Sequence, residues 1–234
     1  MTTSPENAPG EKIQFYGRRK GKPLKPGRLT LLDSLLPRLR LYTDQPIDLE
    51  SVFAKKPVRM EIGFGSGEHL AHMAQANPDV GFLGCEVFLN GVGSLLRYVA
   101  EMDLKNVRIY DNDVRHLLPL LRSNSFERIS LPFPDPWPKA RHAKRRFVGP
   151  PMLDEMARLL RDGGEFRVAS DHPVYVEWTL LHAPVHKDFH WDAKNPQDWR
   201  VRPADSTPTR YEEKAIAAGR QPVFMIFTRL PRTA

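Results

Sequence analysis

The sequence predicts one α/β domain with a doubly wound, mainly parallel β-sheet. From residue 58 onward, short apolar strands alternate with helical segments, the pattern typical of a parallel sheet covered by helices. A glycine-rich turn follows the first of these strands, at the sheet edge where such folds bind ligands. The chain has 234 residues, 41% of them hydrophobic, which is enough to build one substantial core.

The elements follow from the apolar pattern. A helix broken at Pro37 is expected between Leu29 and Leu41. The first strand, 58–62, runs into glycines at 63, 65 and 67, and a helix then extends to about residue 77. Further strands are predicted at 81–88, 107–110, 126–131, 165–169 and 223–230, with helices over 91–102, 114–121, 152–160 and 174–182.

Residues 1–28 are predicted to be a flexible basic tail, and residues 29–234 a single domain. The tail is rich in glycine, proline and charge, and it carries seven basic residues against two acidic ones. Phe15 and Tyr16 lie beside its basic cluster, as stacking groups do in segments that order on RNA. A tail that only solubilises the protein is the alternative.

Composition narrows the function classes. The net charge of +7 and a pI near 9.6 favour a polyanionic partner. One cysteine, Cys85, excludes an intrachain disulfide and a cysteine-based zinc site. The histidines show no ligand spacing, so no metal is expected, and His69 and His72 are predicted on a helix surface. Without a signal peptide or a long apolar stretch, we expect a soluble cytoplasmic protein that does not associate with membranes.

The glycine turn favours a cofactor other than a dinucleotide. In Glu61-Ile-Gly63-Phe-Gly65-Ser-Gly67 the glycines alternate, and Glu68 occupies the position where a dinucleotide fingerprint has its third glycine. An acid there would repel a pyrophosphate, whereas Glu61 before the turn suits a cofactor with a cationic centre and an amino group. A tight turn that binds no cofactor is the alternative.

Two further acids follow the next two strands. Glu86 lies near the end of the second strand, where a carboxylate can accept both hydroxyls of a ribose. Asp113 follows the third strand and can accept a hydrogen bond from the exocyclic amine of adenine. Acids after three successive strands predict an adenosyl pocket, and S-adenosylmethionine is the natural candidate because no phosphate site is evident.

Residues 132–146 read P-F-P-D-P-W-P-K-A-R-H-A-K-R-R and combine an acid, an aromatic ring and a run of cations. The four prolines are predicted to hold Asp135 and Trp137 on a stiff extended segment that is neither helix nor mid-sheet strand. Such a segment at the end of the fourth strand suggests a site for a polyanionic substrate. A surface turn with solvated charges is the alternative.

These segments resemble those of the bacterial tRNA (guanine-N7)-methyltransferase family. The resemblance extends from about residue 58 to the C-terminus, through E-I-G-F-G-S-G, G-C-E-V, N-D-V, the proline–tryptophan–basic string, A-S-D and T-R-Y-E. It implies a Rossmann-like class I methyltransferase fold, mostly parallel with an antiparallel C-terminal strand. It also implies methyl transfer from S-adenosylmethionine to N7 of a variable-loop guanine, nucleotide 46, in tRNA.

The resemblance implies a role for each matching position. Asp135 would be the catalytic residue, and the cofactor would be bound by Glu61, Gly63, Gly65, Gly67, Glu86, Asp113 and Asp135. The substrate guanine and the RNA would be contacted by Lys139, Arg141, His142, Lys144, Arg145, Arg146, Asp171, Thr209, Arg210, Tyr211 and Glu212. The stretch Phe88-Leu89-Asn90 departs from the more polar one expected there, at the position of a peripheral cofactor contact.

Two other functions stay open. A methyltransferase acting on an exocyclic amine of a nucleobase also places an acid, prolines and an aromatic after its fourth strand, but with two prolines between acid and aromatic. Here only Pro136 separates Asp135 from Trp137. A non-catalytic RNA-binding protein on a methyltransferase fold is the other alternative. The protein is expected to be a monomer or a homodimer.

Overall fold

A computed structural model describes residues 15–44 and 46–233, so residues 1–14 of the predicted tail lie outside the described residues. The strands of the described chain belong to one seven-stranded sheet. They are β1 (Val58–Ile62), β2 (Gly81–Cys85), β3 (Val107–Tyr110), β4 (Phe126–Pro132), β5 (Leu160–Ser170), β6 (Phe189–His190) and β7 (Val223–Arg229).

The sheet runs in the order β3-β2-β1-β4-β5-β7-β6. The strands from β3 to β5 are parallel, with Met60 of β1 opposite Leu83 of β2 and Ile129 of β4. β7 pairs antiparallel with β5 and with the short β6. This confirms the predicted fold class, a mostly parallel sheet with an antiparallel C-terminal strand. The reversal of strand order at β1 and β4 is the place where open α/β sheets bind their ligands.

Helices cover both faces of this sheet. They are α1 (Pro26–Ser34), α2 (Leu36–Leu39), α3 (Leu49–Val52), α4 (Glu68–Ala76), α5 (Leu89–Glu101), α6 (Pro150–Leu159), α7 (Pro173–His182), α8 (Gln197–Arg200) and α9 (Arg210–Ala217). Leu70 of α4 and Leu95 of α5 are fully buried on one face of the sheet, and Met156 of α6 and Tyr175 of α7 are buried on the other. Successive residues of each strand therefore point to opposite faces of the sheet, where they pack into two separate apolar layers.

Several boundaries differ from the sequence prediction, and the break expected at Pro37 falls at Leu35, because Pro37 lies in the first turn of α2. α1 begins at Pro26, so the predicted domain boundary after residue 28 falls inside a helix. The predicted helix over 114–121 is instead two short 3-10 helices, 114–116 and 118–120, because Pro119 brings no backbone donor to a continuous helix. β5 starts at Leu160 instead of residue 165, and its pairing with β4 shifts register before Glu165, where Gly163 takes a left-handed φ of 74°.

Among the helices of residues 15–44 and 46–233, none is both long and apolar enough to cross a membrane.

Candidate functional site

A cleft of about 540 Å³ opens at the carboxyl ends of the first four strands. Its volume falls within the roughly 300–1,000 Å³ typical of small-molecule pockets. The strand ends, the loop after β4, the segment ahead of α6 and the chain before α1 all contribute to its walls. Residues of the predicted site that line it are Gly63, Glu86, Asp113, Asp135, Lys144, Arg145 and Arg146, together with Trp137.

The glycine turn between β1 and α4 has the geometry that its spacing predicts. Gly63, Gly65 and Gly67 have φ values of 71°, 58° and 78°, a left-handed backbone that costs other residues about 1–2 kcal/mol each. Only Gly63 of the three lines the cleft. Gly65 lies against the ring of Tyr211, and Gly67 caps α4 while packed against Leu95. Gly65 and Gly67 thus allow the turn to pack against its neighbours and do not line the cleft.

Glu86, just after β2, is held by three backbone donors. Its Oε2 accepts from the amide of Gly65 at 2.8 Å, and its Oε1 accepts from those of Val87 and Phe88 at 2.8 and 2.9 Å. Burial raises the pKa of this carboxyl above its ordinary value, although the three amides oppose that shift. The carboxylate keeps one acceptor position for a ligand, because its two oxygens offer about four positions and the amides occupy three of them.

Asp113, just after β3, is buried and already paired. Its Oδ2 accepts from Nη2 of Arg115 at 2.6 Å, and its Oδ1 accepts from the Arg115 amide and Nε. Burial alone would raise the pKa of Asp113, but the hydrogen bonds and charge of Arg115 hold it below its usual value. Asp113 therefore meets the cleft as a fixed, ionised acceptor.

Glu61 does not line the cleft that Glu86, Asp113 and Asp135 share. It lines a separate small cavity of about 60 Å³, where its Oε2 is 2.7 Å from Nδ1 of His69. Its other oxygen is buried without a hydrogen-bond partner among the described residues. The prediction that His69 is a surface residue is wrong: 13% of its side chain is exposed, because the ring bridges Glu61 and Ser206. His72, three residues further along the same helix, is exposed as predicted.

The proline loop is less extended than its sequence suggests. Pro132 is the last residue of β4 and pairs with Ala169 inside the sheet, so the prolines do not exclude strand structure there. Phe133 and Trp137 adopt left-handed φ values of 48° and 44°. Asp135 lies between these two residues, exposed to solvent in the cleft. The loop thus presents one carboxylate between two left-handed positions.

Tyr211 of α9 joins the loop to the glycine turn. Its ring stacks on that of Phe133, with centroids 6.4 Å apart and planes 18° apart, and its edge lies against Gly65. Burial raises the pKa of Tyr211, and the negative charges of Glu86 and Asp135 add to the shift. Glu86 and Asp135 line the cleft, and Tyr211 lies close enough to feel the charge of both.

Thr209 and Glu212 serve the helix that carries Tyr211. The Thr209 hydroxyl accepts from the amide of Glu212 at 3.0 Å, and the Glu212 carboxylate accepts from the amide of Thr209 at 3.4 Å, a complete capping box. Both residues are buried, and Glu212 also pairs with Arg202. Arg210 and Tyr211, between them, are exposed. The motif fixes α9 and presents its two middle residues.

The cations after the proline loop do not form one uniform strip. Lys139, Arg141 and Lys144 are exposed and suited to contact phosphates. The guanidinium of Arg145 lies 4.8 Å from the ring centre of Trp137 and 4.3 Å from that of Tyr16. His142 packs edge-on against Trp137, and Arg146 is hydrogen-bonded within the loop.

Asp171 is separated from Asp135. It follows β5 and lines a different groove, with Pro173 and Val176 of α7. Its Oδ2 accepts from Nε of Arg220 at 2.6 Å. Asp135 and Asp171 therefore lie in different grooves of the surface.

The chain ahead of α1 completes the cleft, which the sequence indicated only through its aromatic residues. Phe15, Tyr16 and Gly17 line the cleft wall. The segment is anchored to the stretch Phe88-Leu89-Asn90, where the Leu89 amide donates to the carbonyl of Arg19 and the Asn90 side chain bonds to Gly21 and Lys22. The departure noted at residues 88–90 thus coincides with an anchor for the N-terminal segment.

Sequence reasoning missed Gly91 of α5. A Cβ atom at this position would lie well under 3.0 Å from the carbonyl oxygen of Gly65. A glycine inside a helical pattern signals close backbone packing, and that signal was available. Across residues 15–44 and 46–233, the structure contains no group of three or more His, Cys, Asp or Glu side chains able to hold a metal ion.

Comparison with known proteins gives consistent results. Residues 55–225 match a family model described as putative methyltransferase. A Rhodospirillum rubrum protein named tRNA (guanine-N(7)-)-methyltransferase is 50% identical over 234 residues, covering 97% of this chain and 91% of that protein. Proteins of the same name from Paramagnetospirillum magneticum and Mesorhizobium japonicum are 47% and 46% identical, each covering 97% of this chain and 97% and 99% of their own.

Solved structures agree on the fold. The antibiotic-resistance methyltransferase Kmr superposes with a TM-score of 0.57 at 20% identity, covering 82% of this chain and 96% of its own. The 16S rRNA methyltransferase KamB gives 0.57 at 16% identity, covering 78% and 93%. At these identities the likeness establishes the fold alone.

Proposed function

The chain belongs to the tRNA (guanine-N7)-methyltransferase family, and on this premise we propose that it methylates N7 of the variable-loop guanine at nucleotide 46 of tRNA, with S-adenosylmethionine as donor. The observation that carries the proposal is the position of Asp135. Its carboxylate lies in the cleft near Glu86 and at the start of the exposed cations Lys139 and Arg141. One short loop therefore joins a small-molecule cleft to a polyanion-binding surface.

The cleft suits S-adenosylmethionine in its acceptors and its size. When bound, this cofactor supplies an electrophilic methyl group on a sulfonium centre. Glu86 would accept a hydrogen bond from a ribose hydroxyl at its remaining position, and Asp113, held ionised by Arg115, would accept from the adenine amine. Gly63, which lines the cleft without a side chain, would let the backbone lie close to the cofactor. A structure solved with SAM as cosubstrate shares this fold, with a TM-score of 0.55 at 11% identity over 84% of this chain and 96% of its own.

Guanine N7 needs no general base. It carries a free lone pair and is exposed on the major-groove edge of the base, so no proton must leave before it attacks a methyl group. The residues of this chain then act mainly by orienting the guanine in line with the donor. The Asp135 carboxylate would stabilise positive charge that develops on the purine ring during the transfer.

The same carboxylate can select the base. Guanine presents N1–H and an amino group as adjacent donors, whereas adenine has no proton at N1. Asp135 would accept from these donors, leaving adenine without a matching pair. Arg220 engages Oδ2 of Asp171, and this residue lines a different groove from the cleft that holds Asp135. We therefore assign the larger part to Asp135.

The exposed cations supply affinity for RNA in general. Lys139, Arg141 and Lys144 would contact phosphates, and such contacts give salt-dependent binding with little sequence preference. Arg210 and Tyr211, presented at the start of α9, would extend this surface on the opposite side of the loop.

The proposal is tested by incubating the protein with tRNA and methyl-labelled S-adenosylmethionine, then digesting the RNA to nucleosides. We expect the label in 7-methylguanosine. Label in N6-methyladenosine or N2-methylguanosine would refute it in favour of an exocyclic-amine methyltransferase. Tight tRNA binding with no transfer, and no calorimetric signal with the cofactor, would favour a non-catalytic RNA-binding protein.

A further inference from the structure

Arg146 ends the run of cations but is hydrogen-bonded within the proline loop. Its Nε donates to the carbonyl of Pro136 at 3.1 Å, and its Nη2 donates to the carbonyl of Trp137 at 2.9 Å. These two residues directly follow Asp135 in the chain. Because a guanidinium is a rigid planar fork, bonding two successive carbonyls fixes the orientation of both peptide groups.

The guanidinium itself rests on a fixed platform. It lies 4.6 Å from the ring centre of Trp178 in α7. The Trp178 Nε1 donates to the carbonyl of Val148 at 2.6 Å, and the Val148 amide contacts the hydroxyl of the fully buried Tyr175 at 3.4 Å. The position of the fork is therefore set by the core under α7.

The loop needs such support because its backbone is strained. Phe133 and Trp137, on either side of Asp135, have left-handed φ values of 48° and 44°. This conformation is unfavourable for aromatic residues, and each of the two also precedes a proline, which restricts it further. A strained loop persists only where its surroundings hold it. The Arg146 fork supplies this constraint at Trp137.

We propose that Arg146 is a positioning residue, which acts by holding the carboxylate of Asp135 in place through the carbonyls of Pro136 and Trp137. The inference deepens the proposed function and rests on it, since Asp135 matters only if methyl transfer takes place in this cleft. It also replaces the role in RNA binding that the family resemblance implies for this position. Lys144, two residues earlier, keeps an exposed ammonium for that purpose.

Arg146→Lys separates the two roles because it keeps the positive charge and loses the fork. A phosphate contact would largely survive the change, whereas a fixed pair of carbonyls would not. We expect kcat to fall about 10- to 100-fold, the loss typical of a reacting group displaced by about 1 Å. The KM for tRNA and the salt dependence of tRNA binding should match those of the unmodified protein.

Arg158→Lys is the matched control. Arg158 also donates to two backbone carbonyls, those of Leu118 and Leu121 at 2.8 Å each, but it does so before β4 begins, at the other end of that strand. Loss of this fork should lower the thermal unfolding midpoint and leave kcat unchanged. A purely structural role for Arg146 would give the same result in both variants.

The outcomes are distinct. A raised KM for tRNA or a flatter salt dependence in Arg146→Lys, with kcat retained, would overturn the inference in favour of a phosphate contact, and an unchanged kcat and KM would also overturn it. Trp178→Phe keeps the ring beneath the guanidinium and loses the bond to Val148. Trp178→Phe should lower kcat, as Arg146→Lys does. An unchanged kcat would contradict the support of the Arg146 guanidinium by Trp178. Absence of transfer by the unmodified protein would refute the proposed function instead.

Discussion

The backbone of α5 approaches the glycine turn so closely at Gly91 that a Cβ atom there would collide with the carbonyl oxygen of Gly65. The same Cβ atom would also lie 3.4 Å from the Cγ atom of Glu86, which accepts the amide of Gly65. The glycine turn, α5 and Glu86 are therefore packed together, and the shape of the cleft around Glu86 depends on a residue with no side chain.

Gly91→Ala should weaken cofactor binding and lower stability together, because neither backbone can move away without shifting Glu86. We expect a loss of about 1–3 kcal/mol in the free energy of unfolding, as for other overpacked sites, and at least a tenfold rise in the dissociation constant for S-adenosylmethionine. Gly93→Ala is the control on the same helix, since a Cβ there meets atoms only at 3.6 Å or beyond. That variant should be neutral or slightly stabilising by helix propensity. Equal effects of the two substitutions would contradict the packing argument.

Asp135→Asn should reduce kcat by about 100-fold or more while tRNA affinity stays nearly constant. The substitution keeps the shape of the side chain and removes the charge that would stabilise the purine, a loss comparable to removing one preorganised electrostatic group. Steady-state kinetics with tRNA and a filter-binding assay measure the two quantities. Asp171→Asn serves as the comparison, because Asp171 is paired with Arg220 on another wall. A larger loss of kcat in Asp171→Asn would reverse the assignment of roles.

The double change Lys139→Gln/Arg141→Gln should weaken tRNA binding and lower its salt sensitivity. Each lost phosphate contact reduces the slope of log K against log[salt] by about 0.7–0.9, so the pair should remove up to about 1.8. Lys55→Gln/Arg122→Gln removes the same charge at the amino ends of β1 and β4, away from the cleft. Titrations at several salt concentrations compare the two. Identical slopes would show that the net charge of the protein, and not the position of Lys139 and Arg141, governs the affinity for tRNA.

The contact between His69 and Glu61 predicts a pH-dependent stability. Burial would lower the pKa of His69, but the nearby Glu61 carboxylate raises it above the ordinary value of 6.5. A raised folded-state pKa means that the stabilisation is fully present below pH 6.5 and is lost as the pH rises through the folded-state pKa above it.

Urea denaturation from pH 6 upward should therefore show a gap between the unmodified protein and His69→Gln that narrows with rising pH. His72→Gln, exposed on the same helix, is the control and should produce no such trend. A gap that stays constant across this range would contradict the ionised pair.

The sheet and the glycine turn could be predicted because they depend on local pattern. Alternating strands and helices, and glycines at 63, 65 and 67, carry their geometry in neighbouring residues. The Thr209–Glu212 capping box also depends on neighbouring residues, and its spacing alone identifies it. The family resemblance implied a contact with the substrate for the same two residues.

The partners of the site residues could not be predicted in the same way. His69 bridges Glu61 and Ser206, which is 137 positions away, and Asp171 pairs with Arg220, 49 positions away. Arg141 and Arg146 belong to the same run of cations in the sequence, yet it is Arg146 that is hydrogen-bonded to the proline loop. Such pairings arise from tertiary packing, which short-range patterns do not encode.

The most direct test of the central claim replaces one atom of the substrate. A tRNA carrying 7-deazaguanine at nucleotide 46 lacks the proposed methyl acceptor and keeps the N1–H and amino donors that Asp135 would recognise. Transfer of labelled methyl groups is measured beside the unmodified tRNA, together with binding affinity. We predict no transfer to the modified tRNA at unchanged affinity. Continued transfer at the normal rate would contradict methylation of N7 at this position.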